Sequence, residues 1–204
     1  TENILSYMNE WGDHRFTATG VYSWQNYMYE TLSISGNGFA NDETGAWDMG
    51  QANRETVEYG SDKYENSLIS WTGRVTYAYK DRYLLTATAR YDGSSRFGEN
   101  NKWGFFPSIG LAWRASEEKF LAGNKVITNL KVRGSFGVTG NQEIGNYKSL
   151  AQLKVDNYIY NDTEIQGFYE TIGNPDLKWE RANQFDIGID LSLWNRIHVT
   201  ADYY

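Results

Sequence analysis

The chain has 204 residues, enough for one large domain or one and a half small ones, and carries 19 basic against 26 acidic side chains for a net charge of −7. That balance speaks against nucleic acid, whose phosphates require clustered Lys and Arg, and the absence of cysteine excludes disulfide frameworks, thiolate metal sites and thiol nucleophiles. Two histidines leave little imidazole for catalysis, whereas eight Trp, 16 Tyr, 20 Gly and only two Pro suit long, uninterrupted β-strands.

Taken in chain order, the sequence alternates with a period of two wherever it is not turn-like. A fragmentary strand opens the chain near residues 4–8, and a short connection at 8–14 leads to residues 16–24, with Phe16, Ala18, Gly20, Tyr22 and Trp24 on one face and Thr17, Thr19, Val21 and Ser23 on the other. After a long connection at 35–66, residues 71–79 and 83–91 alternate around a tight turn at Lys80-Asp81-Arg82. A connection at 93–102 precedes 105–113, where Phe105, Pro107, Ile109, Leu111 and Trp113 oppose Phe106, Ser108, Gly110 and Ala112. The stretch 116–129 predicts one helical turn at 117–121 with Ser116 as N-cap. Residues 130–138, then 185–193 and 197–203 complete the set, separated by the very long connection 140–181 and the tight turn Trp194-Asn195-Arg196.

About eight strands result, each of roughly 9 to 13 residues and longer than the usual 5 or 6 of soluble sheets. Mean hydropathy is −0.64 and no run approaches 18 apolar residues, so no membrane helix is predicted. A barrel wall, however, needs only alternate residues apolar and strands of roughly 9 to 11 residues. Short turns at one edge and long loops at the other fit an outer-membrane barrel. The second face holds Arg74, Arg90, Arg114, Lys131, Arg133, Asp186 and Asp190; a mid-membrane Arg or Lys against lipid costs about 2–4 kcal/mol, so that face looks into a wet lumen or a plug. Tyr77, Tyr79, Tyr83 and Trp194 beside the tight turns suit an interfacial girdle. The expectation is an all-β, antiparallel up-and-down transmembrane β-barrel segment with short periplasmic turns and long extracellular loops. With no starting Met or signal peptide, and a last strand cut at Tyr204, the chain reads as an internal piece of a longer protein.

No residue set predicts catalysis. Gly36-Asn37-Gly38 lacks the rest of a dinucleotide fingerprint, and neither GxSxG nor a Walker A string occurs. Residues 41–45 are rich in oxygen ligands without EF-hand spacing, so calcium is not assigned and no metal or cofactor is expected. Glu117-Glu118 reads as stabilising a helix start, and Trp179-Glu180 lacks the second carboxylate a glycosidase needs. His14 reads as a turn residue and His198 as a lumen-facing one, while the sequon at 161–163 carries little meaning if the source is bacterial. What remains is recognition by loops. Trp47, Asp48, Arg96, Asn141, Gln142, Tyr147, Tyr158, Tyr160, Asn161, Asp162, Tyr169 and Trp179 are the ligand candidates, supplying flat rings and hydrogen-bonding groups suited to sugars or peptides.

Four strings are specific: YLLTATARYDGSSRFG at 83–98, WGFFPSIGLAWR at 103–114, LKVRGSFGVTGNQ at 130–142 and NPDLKWERANQFDIGID at 174–190. In this order they resemble the barrel of SusC/RagA-type TonB-linked outer-membrane transporters, and the similarity runs over essentially all of the chain. About 149–172 carries no family string. The resemblance implies that these strands belong to a single barrel domain of the class with roughly 22 strands and a plugged lumen, in the outer membrane of a Gram-negative, Bacteroides-type bacterium. It further implies a SusD-like surface lipoprotein as lid, an oligosaccharide or peptide substrate, and the TonB complex acting on a plug that lies outside this sequence. Asp92, Gly93, Arg96, Phe97, Trp103, Pro107, Gly140, Asn141, Gln142, Trp179 and Glu180 carry the matched motifs and are expected to be mainly structural. The competing expectations are a siderophore-type receptor, disfavoured by acidic, amide-rich loops, and a secreted carbohydrate-binding β-sandwich. The sandwich would seal the apolar rows against a second sheet.

Overall fold

A computed structural model describes the chain apart from Asp42, Thr44 and Asp162 and the side chains of Ala46, Tyr158 and Tyr169. The described residues form ten strands: β1 (Glu2–Trp11), β2 (His14–Ser35), β3 (Glu58–Tyr79), β4 (Tyr83–Ser94), β5 (Trp103–Arg114), β6 (Ile127–Asn141), β7 (Gln152–Tyr160), β8 (Thr163–Thr171), β9 (Glu180–Leu193) and β10 (Ile197–Tyr203). Eight of them form one sheet in the order β1-β2-β3-β4-β5-β6-β9-β10, and β7 and β8 pair as a separate hairpin. Every recorded pairing is antiparallel between chain neighbours, apart from β6 with β9, which the hairpin separates in sequence. The chain divides into two compact units, one of Thr1–Gln25 with Ser67–Tyr204 and one of Asn26–Asn66.

The expected eight-stranded meander is there, with three differences. Strands β2 and β3 each run for 22 residues, so residues the sequence reading left in a connection at 35–66 continue the ladder. The reason lies in pairs other than aliphatic ones: Tyr29 stacks on Tyr64 at 4.7 Å, and Asn26 donates to Glu65 at 2.9 Å. Second, the connection 140–181 contains the hairpin β7–β8, turned at Asn161 with φ 48°. Third, the turn expected at 117–121 is a hydrogen-bonded turn in which Leu121 and Ala122 donate to the Glu118 carbonyl at 2.9 and 2.8 Å, and it is preceded by a 3₁₀ turn at Ala115–Glu117 that Ser116 does not cap. The Glu118 carboxylate serves its surroundings instead, accepting from the Tyr83 hydroxyl at 2.6 Å and the Trp113 indole N–H at 3.3 Å.

The tight turns repeat one backbone solution. Lys80 and Asp81 have φ of 54° and 53°, Trp194 and Asn195 of 51° and 53°, and in each case the third turn residue donates back to the strand end. Consecutive left-handed residues match the twist of the flanking strands, at roughly 1–2 kcal/mol for each non-glycine residue. His14 opens β2 beside the first turn, its Nδ1 2.6 Å from the Tyr77 hydroxyl and its ring stacked on Trp11.

Register converts alternation into two faces. One row reads Val75, Ala87, Ile109, Phe136, Phe185 across five strands, and the next reads Leu85, Leu111, Gly134, Ile187, Tyr203. No second sheet covers these rows among the described residues: Leu111 is 58% and Phe185 56% exposed. A globular protein of this mass would expose about 9,800 Å², whereas this chain exposes 15377 Å². The bare apolar rows contribute to the surplus, and water does not favour such surface, which sets the sheet apart from the sealed sandwich.

Two aromatic bands border the apolar rows. Tyr79, Tyr83 and Trp113 lie in register at the turn edge, and Tyr91 stacks on Trp103 at 4.8 Å at the other, near Tyr22 on Trp71 at 4.5 Å. From Tyr83 to Tyr91 the strand climbs eight residues, about 27 Å at roughly 3.4 Å each and about 21 Å along the normal at a 40° tilt; an outer-membrane apolar band is about 25 Å tall.

Candidate functional site

The opposite face is ionic. Arg133 reaches Asp186 at 3.5 Å, Asp190 at 3.4 Å and Asp202 at 2.6 Å, while Lys131 lies 3.9 Å from Asp190. His198, a residue of this face, has its Nδ1 2.8 Å from the Ser192 hydroxyl. Nearer the loops, Arg90 donates through Nε to both oxygens of Asp92, at 2.8 and 2.6 Å, and through Nη2 to Ser70 at 3.3 Å. Asp92 is buried, and among the described residues its carboxylate pairs with the Arg90 guanidinium. These pairings let a row of charges line a hydrated interior.

At the loop edge the specific strings converge. The β5–β6 ladder ends at Ser108 opposite Gly137, and above it the Phe106 ring occupies space that a Cβ at Gly104 or Gly140 would overlap. Phe106, Phe97 and Trp179 form the buried cluster, with Trp179 4.9 Å from Phe97 and 5.2 Å from Phe106 by ring centroids. The Trp179 indole donates to the Lys102 carbonyl at 3.0 Å. Gly98 donates to the Leu177 carbonyl at 3.3 Å and passes so close to Pro175 that no side chain fits. Arg96 donates through Nη1 to the Gln142 carbonyl at 3.2 Å, while its buried Nε has no hydrogen-bond partner among the described residues. Asn141 donates to Glu180 at 3.0 Å across the β6–β9 pair.

Beside this cluster the polar face forms a concavity of about 370 Å³. Thr88, Arg90, Asp92, Ser108, Thr139 and Gln142 contribute to its lining, with Phe106 and Trp179 among the apolar groups. Its two charged residues neutralise each other, so it offers hydroxyl and amide groups beside aromatic surface.

The candidate residues from the sequence divide accordingly. Arg96, Asn141, Gln142 and Trp179 come together at the loop edge, and the buried Trp179 ring packs against both Phe97 and Phe106, making it an anchor of loops. Trp47 is 98% exposed at the end of a 3₁₀ turn, and Asp48 accepts from Gln51 at 2.8 Å, both within the Asn26–Asn66 unit. Tyr147 is left-handed with φ 61°, its carbonyl accepting from Leu150 at 3.0 Å. Tyr160 and Asn161 stand at the tip of the β7–β8 hairpin. Asp162 and the side chains of Tyr158 and Tyr169 lie outside the described residues, as do Asp42 and Thr44 of the oxygen-rich loop. Phe106 escaped the sequence reading as a site residue because it occupies a polar-face position; Gly104 and Gly140, whose missing side chains admit its ring, were the available signal.

Apolar rows bare on one face, ion pairs on the other, two aromatic bands and a turn edge opposite a loop edge define a segment of an outer-membrane β-barrel wall. The family model described as TonB dependent receptor-like, beta-barrel, matches residues 2–204, and the chain belongs to that family. It is 37% identical over 206 residues to TonB-dependent receptor P3 of Formosa agariphila, an alignment covering all of this chain and 20% of that protein. It is 39% identical over 147 residues to TonB-dependent receptor SusC of Bacteroides thetaiotaomicron, covering 70% of this chain and 14% of SusC. A solved structure of the RagAB peptide transporter superposes with a TM-score of 0.85 at 29% identity, over 98% of this chain and 22% of that one. The chain thus spans about a fifth of the length of these relatives.

Proposed function

We propose that this chain is wall and loop surface of the single barrel domain of a TonB-dependent importer, which carries oligosaccharides across the outer membrane of a Gram-negative, Bacteroides-type bacterium. The observation that carries the reading is the two-faced sheet: rows such as Ile109 and Leu111 lie bare while Arg133 and its aspartates populate the other side. Here the segment does no bond chemistry. It holds hydrocarbon out, lines a wet passage and presents loops to the substrate. A surface lipoprotein of the SusD kind closes the mouth, and the TonB complex acts through a plug supplied by the remainder of the protein.

The uncharged hydroxyl and amide groups set among the apolar lining of this concavity suit a ligand with both hydroxyl groups and apolar faces, and the bare Trp47 ring suits stacking on a sugar face. The structurally similar RagAB is a peptide transporter, which makes peptides the second reading. The deciding experiment is uptake of fluorescent oligosaccharides and of fluorescent peptides by cells producing the full-length receptor, with and without a functional TonB. TonB-dependent oligosaccharide accumulation is the expected result. Accumulation of peptides alone would move the cargo to the second reading, and accumulation of neither cargo class would overturn the proposed cargo.

A further inference from the structure

Several glycines of the sheet are there because a neighbour needs the space. Gly104 and Gly140 admit Phe106, and a Cβ on Gly93 would overlap the Trp103 ring. Gly20 and Gly73 are different. Neither has a positive φ, the register runs through both without a bulge, and a Cβ on either would meet nothing within 4 Å. Glycine weakens a strand interior, and where neither turn, bulge nor neighbour requires it, it marks a place that something else approaches closely.

Both glycines lie on the apolar face, where register sets Leu5 opposite Gly20 and Gly73 opposite Ala89. Together with Ala89 they floor a hollow of about 550 Å³. Its wall toward the loop edge is aromatic. Tyr22 meets Trp71 at 4.5 Å, and Trp71, Tyr91 and Phe105 are neighbours in register, all exposed. Ala89 stands two residues inside Tyr91 and six from Tyr83, so the hollow lies in the outer half of the apolar band.

This face is the lipid boundary of the wall, and hydrocarbon covers it. The dimensions select one chain. Trp71 and Val75 bound the floor four residues apart on β3, about 14 Å at roughly 3.4 Å per residue. Their side chains narrow that spacing below the roughly 10–12 Å a helix needs, leaving room for an extended hydrocarbon chain. From β1 to β4 the floor runs about 14 Å at roughly 4.8 Å per strand, close to half the height of an apolar band of about 25 Å. At the headgroup level Lys102 is exposed and makes no ion pair among the described residues; it precedes Trp103, whose ring stacks on Tyr91 at 4.8 Å.

We infer that the hollow floored by Gly20, Gly73 and Ala89 binds one saturated acyl chain of an outer-leaflet lipopolysaccharide, with Lys102 meeting the phosphate of that glycolipid. An unbranched saturated chain lies flat on a straight floor and turns its C–H groups to the Trp71, Tyr91 and Phe105 rings. It fills the space that side chains at the two glycines would have taken. The inference rests on the barrel-wall assignment and is independent of the cargo.

The test uses the full-length receptor purified from outer membranes in a mild detergent, with retained lipopolysaccharide per barrel measured by mass spectrometry. Gly20→Leu with Gly73→Leu fills the hollow and should lower that ratio at least about fivefold, with heat-modifiable mobility unchanged. Ala201→Leu, an enlargement opposite Ile189 elsewhere on the apolar face, should leave it unchanged. Lys102→Gln should lower it about threefold, the size of one exposed charge contact. Independently of how the filled variant folds, a benzophenone side chain in place of Phe105 should capture lipopolysaccharide, and in place of Phe185 several-fold less. Equal retention by wild type and the filled variant, or a wild type that retains none, would overturn the site. Capture at Phe105 of diacyl phospholipid alone, or of a second receptor copy alone, would do the same. Heat-modifiable, membrane-inserted receptor in each of those cases leaves the wall assignment standing.

Discussion

Arg133 and Asp202 meet at 2.6 Å across Gly188, the residue that lies between them in register on β9. A Cβ on Gly188 would overlap the Asp202 carboxylate and crowd the Arg133 guanidinium, so the glycine is the gap through which β6 and β10 are joined on the lumen face. Gly188→Val should therefore break this pair at a cost of about 1–3 kcal/mol, the usual range for overpacking. Asp202→Asn should cost under about 1 kcal/mol, since Asp186 and Asp190 still hold Arg133 and the site is partly hydrated. Arg133→Met leaves three carboxylates together and should be worse than Asp202→Asn. Heat-modifiability midpoints of the full-length barrel will rank the three, and a less stable Asp202→Asn than Arg133→Met would refute the network.

The lipid-facing assignment predicts a sharp asymmetry between neighbours. Ile109→Arg places a cation in the middle of the apolar rows and should cost about 2–4 kcal/mol, lowering the folded fraction in outer membranes. Ser108→Arg, one residue away on the opposite face, should fold to nearly wild-type yield. Equal yields for the two variants would contradict the register of faces.

Trp179→Ala removes the centre of the loop-edge cluster, and truncating a buried aromatic costs about 3–5 kcal/mol. The loss is local. Proteolysis should quicken at 93–102 and 142–179, the segments that Trp179 joins through Lys102 and Phe97, while the strand ladder persists. Gly140→Val, which drives into Phe106, should reproduce the pattern.

At the turn edge, hydrogen bonds first from Tyr83 and then from Trp113 hold the Glu118 carboxyl below its usual range. A carboxylate with a lowered folded pKa contributes stability above its unfolded value, near 4.3, and loses it as pH falls through the folded value. Wild type should thus exceed Glu118→Gln in thermal midpoint at neutral pH, and the difference should close below about pH 4. A difference unchanged from pH 7 to pH 3 would show that the carboxylate's charge plays no part.

Much of the wall was legible in the linear chain because membrane strands obey a strict period of two. Tyr83, Leu85, Ala87, Ala89 and Tyr91 sort to one face with no knowledge of partners, and Lys80-Asp81-Arg82 between two such runs is a turn on any reading. The same rule failed at Gln25–Ser35 and at the β7–β8 hairpin. There cross-strand Tyr contacts, polar pairs and exposed aliphatics replace a lipid-facing row, and polar loops share that composition. The candidate site was legible in its residue types alone. Trp179 and the exposed Trp47 are identical letters, and only packing makes one an anchor and the other a free ring.

The sequence by itself determined that the chain is a two-faced antiparallel wall, since alternation is a local property that each strand carries alone. Tertiary structure alone decided which charges meet across Gly188, that Phe106 fills the absent side chains of Gly104 and Gly140, and that distant strings close into one anchoring cluster. Those outcomes depend on register and on the mutual exclusion of atoms from strands far apart in the chain, and no single strand contains that information.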